Sequence, residues 1–324
     1  MTVTALGELL IDFAPKQADE DGRLMFAASP GGAPANVCTM AAKLGTKAAF
    51  VGKVGQDGFG TFLRSVLLEN HVSCRGLRMD EKARTSLAFV TLGDNGERDF
   101  CFYRTNGADT QLHPEELDDA LLRGSKFLHF GSLSLTQEPC RSATIRAVEL
   151  ARAGGAIISY DPNYRPPLWE NVSQALEMMR LGLRLADIVK VSLEEAQLLT
   201  GRENPDQAAE ALQNMGPRVI FITGGASGCF CYTEAARVYA PGFPVKAVDT
   251  TGAGDTFQGT MLYLLRDLSL EEIATLNTAR LTRYATIANA AAAIATTKLG
   301  AISAMPDKVA LNAFLTVHGE QPLE

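Results

Sequence analysis

Short apolar blocks alternate with helical stripes along most of this chain, and that alternation restricts the fold more than any other feature. Val3–Leu6, Ala48–Val51, Phe127–Phe130, Ala156–Tyr160, Ile188–Val191 and Val219–Ile222 are brief, largely apolar runs. Blocks of that length read as strands buried on both faces. Between them, Ala33–Leu44 places Val37, Met40, Ala41 and Leu44 at i, i+3, i+4 and i+7, and Gly45 follows as a stop. Phe59, Phe62, Leu63, Val66 and Leu67 form a second stripe, and Ser142–Arg152 and Gln207–Met215 carry the same period. The rhythm predicts an α/β fold with a mostly parallel central sheet flanked by helices. Ligands of such sheets collect beyond the carboxyl ends of the strands.

Two stretches break the rhythm. Leu10–Ser29 has a polar turn, Lys16–Gly22, between extended pieces. Thr85–Arg104 reads as strand Leu87–Leu92, turn Asp94–Asn95–Gly96 and strand Phe100–Tyr103. Two such inserts can pair into one small sheet, which would cover a site or meet its copy in a dimer.

Size and charge remove several function classes. A chain of 324 residues can bury a large core, and its length suggests two units or one large α/β unit with an appendage. The net charge of −7 argues against a nucleic-acid binder, which carries basic stripes. No apolar run approaches the roughly 18 residues that span a bilayer; the Ala-rich stretch Ala285–Ala295 contains Thr286 and Asn289 and reads as a buried helix. The segment MTVTALGELLIDF lacks a basic n-region and a cleavage pattern, so no signal peptide is expected. Cys38, Cys74, Cys101, Cys140, Cys229 and Cys231 form no CxxC pair and no Cys/His ligand spacing. They read as reduced thiols, and the expected compartment is the cytoplasm.

The sharpest chemical signal is Asp249-Thr250-Thr251-Gly252-Ala253-Gly254-Asp255-Thr256. It follows a strand-like piece, Val245–Val248, and precedes a helix with Phe257, Met261, Leu264 and Leu265 on its apolar side. Gly252, Ala253 and Gly254 let a ligand approach backbone N–H groups at a helix N-terminus, where negative charge is favoured. That arrangement suits a transferring phosphoryl group. Asp255 would sit beside it, able to accept a proton from an attacking hydroxyl; phosphoryl transfer asks for orientation more than base strength.

Gly31-Gly32-Ala33-Pro34-Ala35-Asn36 is the second signal: two glycines enter a helix with Pro34 in its first turn. Close backbone approach there suits a polyol, with Asn36 donating and accepting. Gly52–Gly60 reads as a turn-rich segment after a strand. No GxxxxGK[ST], no GxGxxG after a strand and no GxSxG occurs, which weakens P-loop, nicotinamide-oxidoreductase and hydrolase readings. Among the histidines, His129 reads as a core residue and His71, His113 and His318 as surface.

Gly31–Asn36 through Gly60, together with Asp249–Asp255, resemble the two signatures of the ribokinase-like (PfkB) carbohydrate kinases, and the resemblance runs from about Leu6 to about Pro306. Phe130–Leu135, Asp161–Trp169, Phe102-Tyr103-Arg104 and Ala108-Asp109 are most similar to fructokinases of the bacterial and plant type. The resemblance implies one ribokinase-like α/β domain over 1–324, with a β lid from inserts of about 13–30 and 85–107. It implies transfer of a phosphoryl group from ATP to the primary 6-hydroxyl of D-fructose, with Asp255 as base and Gly252, Ala253 and Gly254 as anion hole. Asp12, Gly31, Gly32, Asn36, Tyr103, Arg104, Asn163 and Arg165 would hold the sugar or reach the phosphates. Lys190, Ser192, Glu195, Thr223, Gly225, Gly228 and Asn289 would form the ATP side, Ser192 standing where the family carries Asn. Glu195 would organise Mg²⁺ through water. Asp249, Thr251, Ala295 and Gly300 resemble a monovalent-cation loop for K⁺. The lid implies a homodimer. Other readings are a 2-keto-3-deoxygluconate kinase, which shares elements like Tyr103-Arg104 and Asn163-Tyr164-Arg165, and a non-catalytic sugar or nucleotide sensor, against which the intact Asp255 speaks.

Overall fold

Strand parity shows in how the apolar blocks are buried. In a computed structural model of the chain, which describes residues 2–16, 18–19, 21–92 and 98–323, successive residues of one strand enter opposite cores. Val219 and Phe221 join one apolar cluster, while Ile220 and Ile222 join another. Phe127 and Leu128 divide in the same way. A strand buried on both faces must read as a continuous apolar run.

Among the described residues there are thirteen strands. They are β1 (Val3–Leu6), β2 (Leu10–Lys16), β3 (Met25–Gly31), β4 (Ala48–Gly55), β5 (Val72–Asp80), β6 (Leu87–Leu92), β7 (Arg98–Tyr103), β8 (Phe127–Gly131), β9 (Ile157–Asp161), β10 (Ile188–Ser192), β11 (Val219–Thr223), β12 (Gly228–Tyr232) and β13 (Arg237–Pro241). Nine form one sheet in the order β13-β12-β11-β10-β9-β8-β1-β4-β5. It is parallel from β11 to β5 and ends in the antiparallel pairs β11–β12 and β12–β13. One core packs beneath the helices Ala33–Lys43, Gly58–Glu69, Ala253–Leu265 and Thr278–Thr296, the other beneath Cys140–Ala153, Val172–Leu185, Leu193–Thr200 and Pro205–Gln213.

The two irregular stretches do pair. They make a four-stranded sheet, β3-β2-β6-β7, joined by the parallel contact Ile11–Phe13 with Leu87–Phe89. Phe89 stacks on Phe13 at 4.7 Å between centroids and meets Phe26 edge-on at 5.4 Å, an aromatic centre that supplies the burial a small sheet otherwise lacks. The expected turn at Asp94–Gly96 lies outside the described residues, as do parts of Lys16–Gly22.

Two local expectations are corrected. Val245–Val248 is not a strand: β13 closes the sheet edge at Pro241, and this segment instead runs along a helix, with Val248 N–H donating to Thr296 O at 2.7 Å. Gly52–Gly55 is not turn but the end of β4, because β5 continues to pair with it as far as Asp80. Strands β5 and β13 escape a reading based on apolar blocks, since β5 contains Ser73, Arg75 and Arg78, and β13 alternates exposed and buried residues.

Candidate functional site

A cleft of about 770 Å³ opens beyond the carboxyl ends of β1, β8, β9 and β10. Its lining includes Asp12, Gly32, Asn36, Asn163, Arg165, Lys190, Ser192, Glu195, Thr251, Gly252, Gly254 and Asp255, so segments far apart in sequence converge on one place. The physical cause is the parallel sheet, which sends every strand's carboxyl end to the same rim.

Asp255 stands in the first turn of the helix Ala253–Leu265 and is only 6% exposed. Gly252 caps that helix at φ 77°, a left-handed conformation; a Cβ there would lie 2.7 Å from Ala301 Cβ. Asn36 Nδ2 donates to Asp255 Oδ2 at 2.8 Å, and Asn163 Nδ2 approaches Oδ1 at 3.5 Å. Asn36 thus faces the acid rather than solvent. Burial, reinforced by the Asp161 charge, pushes the Asp255 carboxyl up to about 6 against the opposing pull of Asn36, Lys190 and Arg165. A carboxylate of that strength is still ionised near neutrality and is better matched to proton acceptance than an exposed aspartate.

The anion side is built from the same turn. The first N–H groups of a helix have no intrahelical acceptor. Ala253 N–H donates to Thr250 O at 3.2 Å, so it is engaged within its own turn, narrowing the hole expected from Gly252–Gly254. Gly254 comes so close to Lys190 that a Cβ would stand 2.7 Å from Nζ. Lys190 Nζ donates to Asp161 Oδ2 at 2.8 Å, both groups buried. Burial alone would push the ammonium down, but Asp161 and Glu195 hold it above the usual lysine value. An ammonium and a helix N-terminus therefore meet at one point, a combination suited to phosphate.

On the polyol side, Asp12 of β2 pairs with Ser29 of β3 and lies diagonal to Gly31, where a Cβ would collide with the Asp12 carboxylate. Burial raises the Asp12 carboxyl to about 7, with Arg165 opposing and Asp255 and Asp249 adding. Glu195 caps its own helix reciprocally with Ser192 and also accepts from Tyr164 N–H at 2.7 Å, pinning the loops after β9 and β10 together. Burial and Asp161 raise its carboxyl. Thr223 lies opposite Ser192 in the β10–β11 ladder. Gly225 and Gly228 shape the following turn at the rim, outside the cleft lining. Asp249 accepts from Thr251 N–H at 2.9 Å and from Gly300 N–H at 3.0 Å, joining the two loops that a carbonyl-rich cation site would need. Ala295 is buried on the adjoining helix. Among the described residues, no group of three or more His, Cys, Asp and Glu could hold a metal ion.

Two site expectations are corrected. Tyr103 is 65% exposed and packs edge-on against Phe89; Phe102, its neighbour on the opposite face of β7, lines the cleft instead. Arg104 is no open arm: it is 7% exposed, and its guanidinium donates to Asp109 Oδ2 at 2.6 Å, Thr136 Oγ1 at 3.0 Å and Leu133 O at 2.9 Å. Asn289, like Gly225 and Gly228, lies outside the cleft lining; its amide donates to Ala240 O and Pro241 O, anchoring the helix Thr278–Thr296 to β13. The sequence reading also missed Asp161, which positions Lys190, and Glu8, in the cleft wall. A buried carboxylate four residues before Asp12 was the available signal for Glu8. His129 is buried, bonded through Nδ1 to Ser159 Oγ at 2.9 Å, and burial lowers it to about 4.

One expected result follows from these charges. If Asp255 accepts the proton, kcat/KM rises with pH through about 6, because the group must be ionised. Asp161→Asn removes a negative neighbour and frees the Lys190 charge, so the acid limb shifts to lower pH. A limb that stays in place in the variant's pH–rate profile excludes Asp255 as its source.

The described residues contain no helix long and apolar enough to cross a membrane. Residues 2–308 match the pfkB family carbohydrate kinase profile. A probable fructokinase-4 of Arabidopsis thaliana is 44% identical over 319 residues, covering 97% of this chain and 96% of the relative. The fold is the ribokinase-like α/β fold. A fructokinase with bound ATP from Xylella fastidiosa superposes with a TM-score of 0.90 at 32% identity, covering 98% of this chain and 99% of its own. A fructokinase from Vibrio cholerae O395, in its fructose-, ADP- and calcium-bound form, gives 0.86 at 34% identity, covering 97% and 99%.

Proposed function

Since this chain belongs to the pfkB family of carbohydrate kinases, we propose that it is an ATP-dependent fructokinase that phosphorylates the 6-hydroxyl of D-fructose. The observation that carries the reading is the buried Asp255 at a helix N-terminus, oriented by Asn36, with the Lys190 ammonium close against the neighbouring Gly254. The sugar hydroxyl donates its proton to Asp255 while its oxygen attacks the γ-phosphorus and the β–γ bridging bond breaks, in line and without a phosphoenzyme. Asp12, Gly31, Gly32, Asn36, Asn163 and Arg165 hold the sugar; the Asp12 carboxyl, when ionised, offers only acceptors to hydroxyl donors. Lys190, Ser192, Glu195, Thr223, Gly225 and Gly228 form the nucleotide side.

Mg²⁺ would be held mainly by the ATP phosphates, in keeping with the lack of a three-carboxylate group among the described residues. Glu195 would reach it through water, since its oxygens already accept from Tyr164 and Ser192 N–H. Asp249, Thr251, Ala295 and Gly300 would hold K⁺, which would add positive charge near the phosphoryl site. The chain acts as a single α/β domain whose four-stranded sheet is a lid that excludes competing water. Its free cysteines suit the cytoplasm.

The lid also supports a homodimer. Leu24, Met25, Phe26 and Tyr103 expose an apolar surface on or beside the small sheet. Phe26→Asp places a charge in that patch and is expected to shift sedimentation to the monomer; an unchanged dimer would put the interface elsewhere.

The function is tested by coupled ADP release with fructose, ribose, 2-keto-3-deoxygluconate and nucleosides, with and without K⁺. Fructose is expected to give the highest kcat/KM. Preference for the keto-acid would reassign the substrate, and no turnover with any sugar would favour a sensor.

A further inference from the structure

The corrected role of Arg104 leads to a feature at the base of both inserts. Ser86 immediately precedes β6 and Arg104 immediately follows β7, so they mark the entry and exit of the second insert. Both bind one carboxylate: Ser86 Oγ donates to Asp109 Oδ1, and Arg104 Nε donates to Asp109 Oδ2 at 2.6 Å. Asp109 is 2% exposed. The first insert has the same device. Glu8 precedes β2, and Ala33 follows β3 by two residues; Ala33 N–H donates to Glu8 Oε1 at 2.9 Å. Glu8 is 3% exposed, and its Oε2 has no hydrogen-bond partner among the described residues.

Arg104 connects the two clasps. Its charge acts on Glu8 as well as on Asp109, and its remaining donors reach Thr136 and Leu133 O on the large sheet's rim. Glu8 and Leu133 both line the sugar cleft.

We propose that Asp109 and Glu8 are positioning residues for the sugar site, each closing the base of one lid insert, with Arg104 as the brace between them. Neither carboxylate touches the reacting atoms. They set where the small sheet stands over the cleft, and so where Asp12, carried on β2, and Phe102, carried on β7, meet the sugar. Arg104 acts through the clasp and not as a ligand to the sugar. A charged hydrogen bond at 2.6 Å in a buried site is strong, and losing one partner leaves the other buried and unsatisfied.

This inference rests on the fructokinase reading for its kinetic arm only. Hydrogen–deuterium exchange of the full-length protein, without ligands, tests the clasp itself. Asp109→Asn is expected to raise amide exchange in residues 87–92 and 98–103 by about tenfold or more, with the central strands unchanged. Ser86→Ala, which keeps every charge, should do the same to a smaller degree and serves if Asp109→Asn fails to fold. Glu8→Leu should loosen 10–16 and 25–31, and Glu8→Gln, which retains the acceptor for Ala33 N–H, should restore most of the protection. In the kinetic arm, Asp109→Asn should raise KM for fructose about tenfold with KM for ATP within about twofold, and increase sugar-independent ATP hydrolysis. Arg104→Gln should add little to KM in the Asp109→Asn background. Unchanged exchange in both inserts would overturn the clasp, and an additive effect of Arg104→Gln on fructose KM would return Arg104 to the role of sugar ligand. If wild-type protein turns over no fructose, the substrate assignment fails while the exchange result still decides the clasp.

Discussion

Asp255→Asn is expected to lower kcat by about 10²–10⁴-fold while KM for ATP stays within about twofold. The asparagine keeps the volume of the acid and an oxygen for the Asn36 amide, which donates at 2.8 Å, so the helix N-terminus and the packing of Asn36 are retained. What it cannot do is accept a proton from the sugar hydroxyl. If Asp255 is the base, the acid limb near pH 6 should be lost together with the rate, since this carboxyl is raised to about 6. The check is a pH series of initial rates by coupled ADP release, with nucleotide binding followed by calorimetry. Undiminished turnover at neutral pH would remove Asp255 as the base. Lost rate together with lost ATP binding would show a damaged cleft in place of a missing proton acceptor.

Gly254→Val is expected to reduce kcat/KM by about 10²–10³-fold, the range seen when a preorganised donor to a developing anion is lost. The argument is geometric. A Cβ at this position would stand 2.7 Å from Lys190 Nζ and 3.4 Å from Cε. Either the ammonium leaves its 2.8 Å bond to Asp161 or the first turn of the helix shifts. Valine's methyl groups would also occupy the space of the phosphoryl group. Gly254→Ala should fall between wild type and valine, since the end of a flexible lysine can yield partly. Rates and nucleotide affinity should decline together, with thermal melting little changed because the site is at a helix end. A valine variant with near-normal rates would mean that the phosphoryl group is stabilised elsewhere.

Much of the fold could be read from the order of residues. Buried parallel strands must be continuously apolar, and helices beside them must repeat at 3.6 residues, so β1, β8, β10, β11 and the helix after Gly32 were legible. Polar or alternating strands such as β5 and β13 were not, because their partners lie on other segments. Val245–Val248 shows the converse. Its residues suit a strand, yet β13 ends the sheet, and the segment pairs with the carbonyl of Thr296 instead.

The same division holds at the site. The local sequence determined what depends on neighbours in the chain: a glycine-capped helix N-terminus, an acid in its first turn, and two glycines at the entry of the helix Ala33–Lys43. The tertiary structure decided everything that depends on a distant partner. Asp109, joined to the entry and exit of the second insert, turned Arg104 from an expected ligand arm into a buried brace. The way β7 faces gave the cleft Phe102 and left Tyr103 outside. Asp161, 94 residues before Asp255 (255 − 161), raises that acid and holds Lys190 beside it. Side-chain charge and hydrogen bonding act through space, at lengths of a few ångströms, and only the folded sheet brings those atoms within that range.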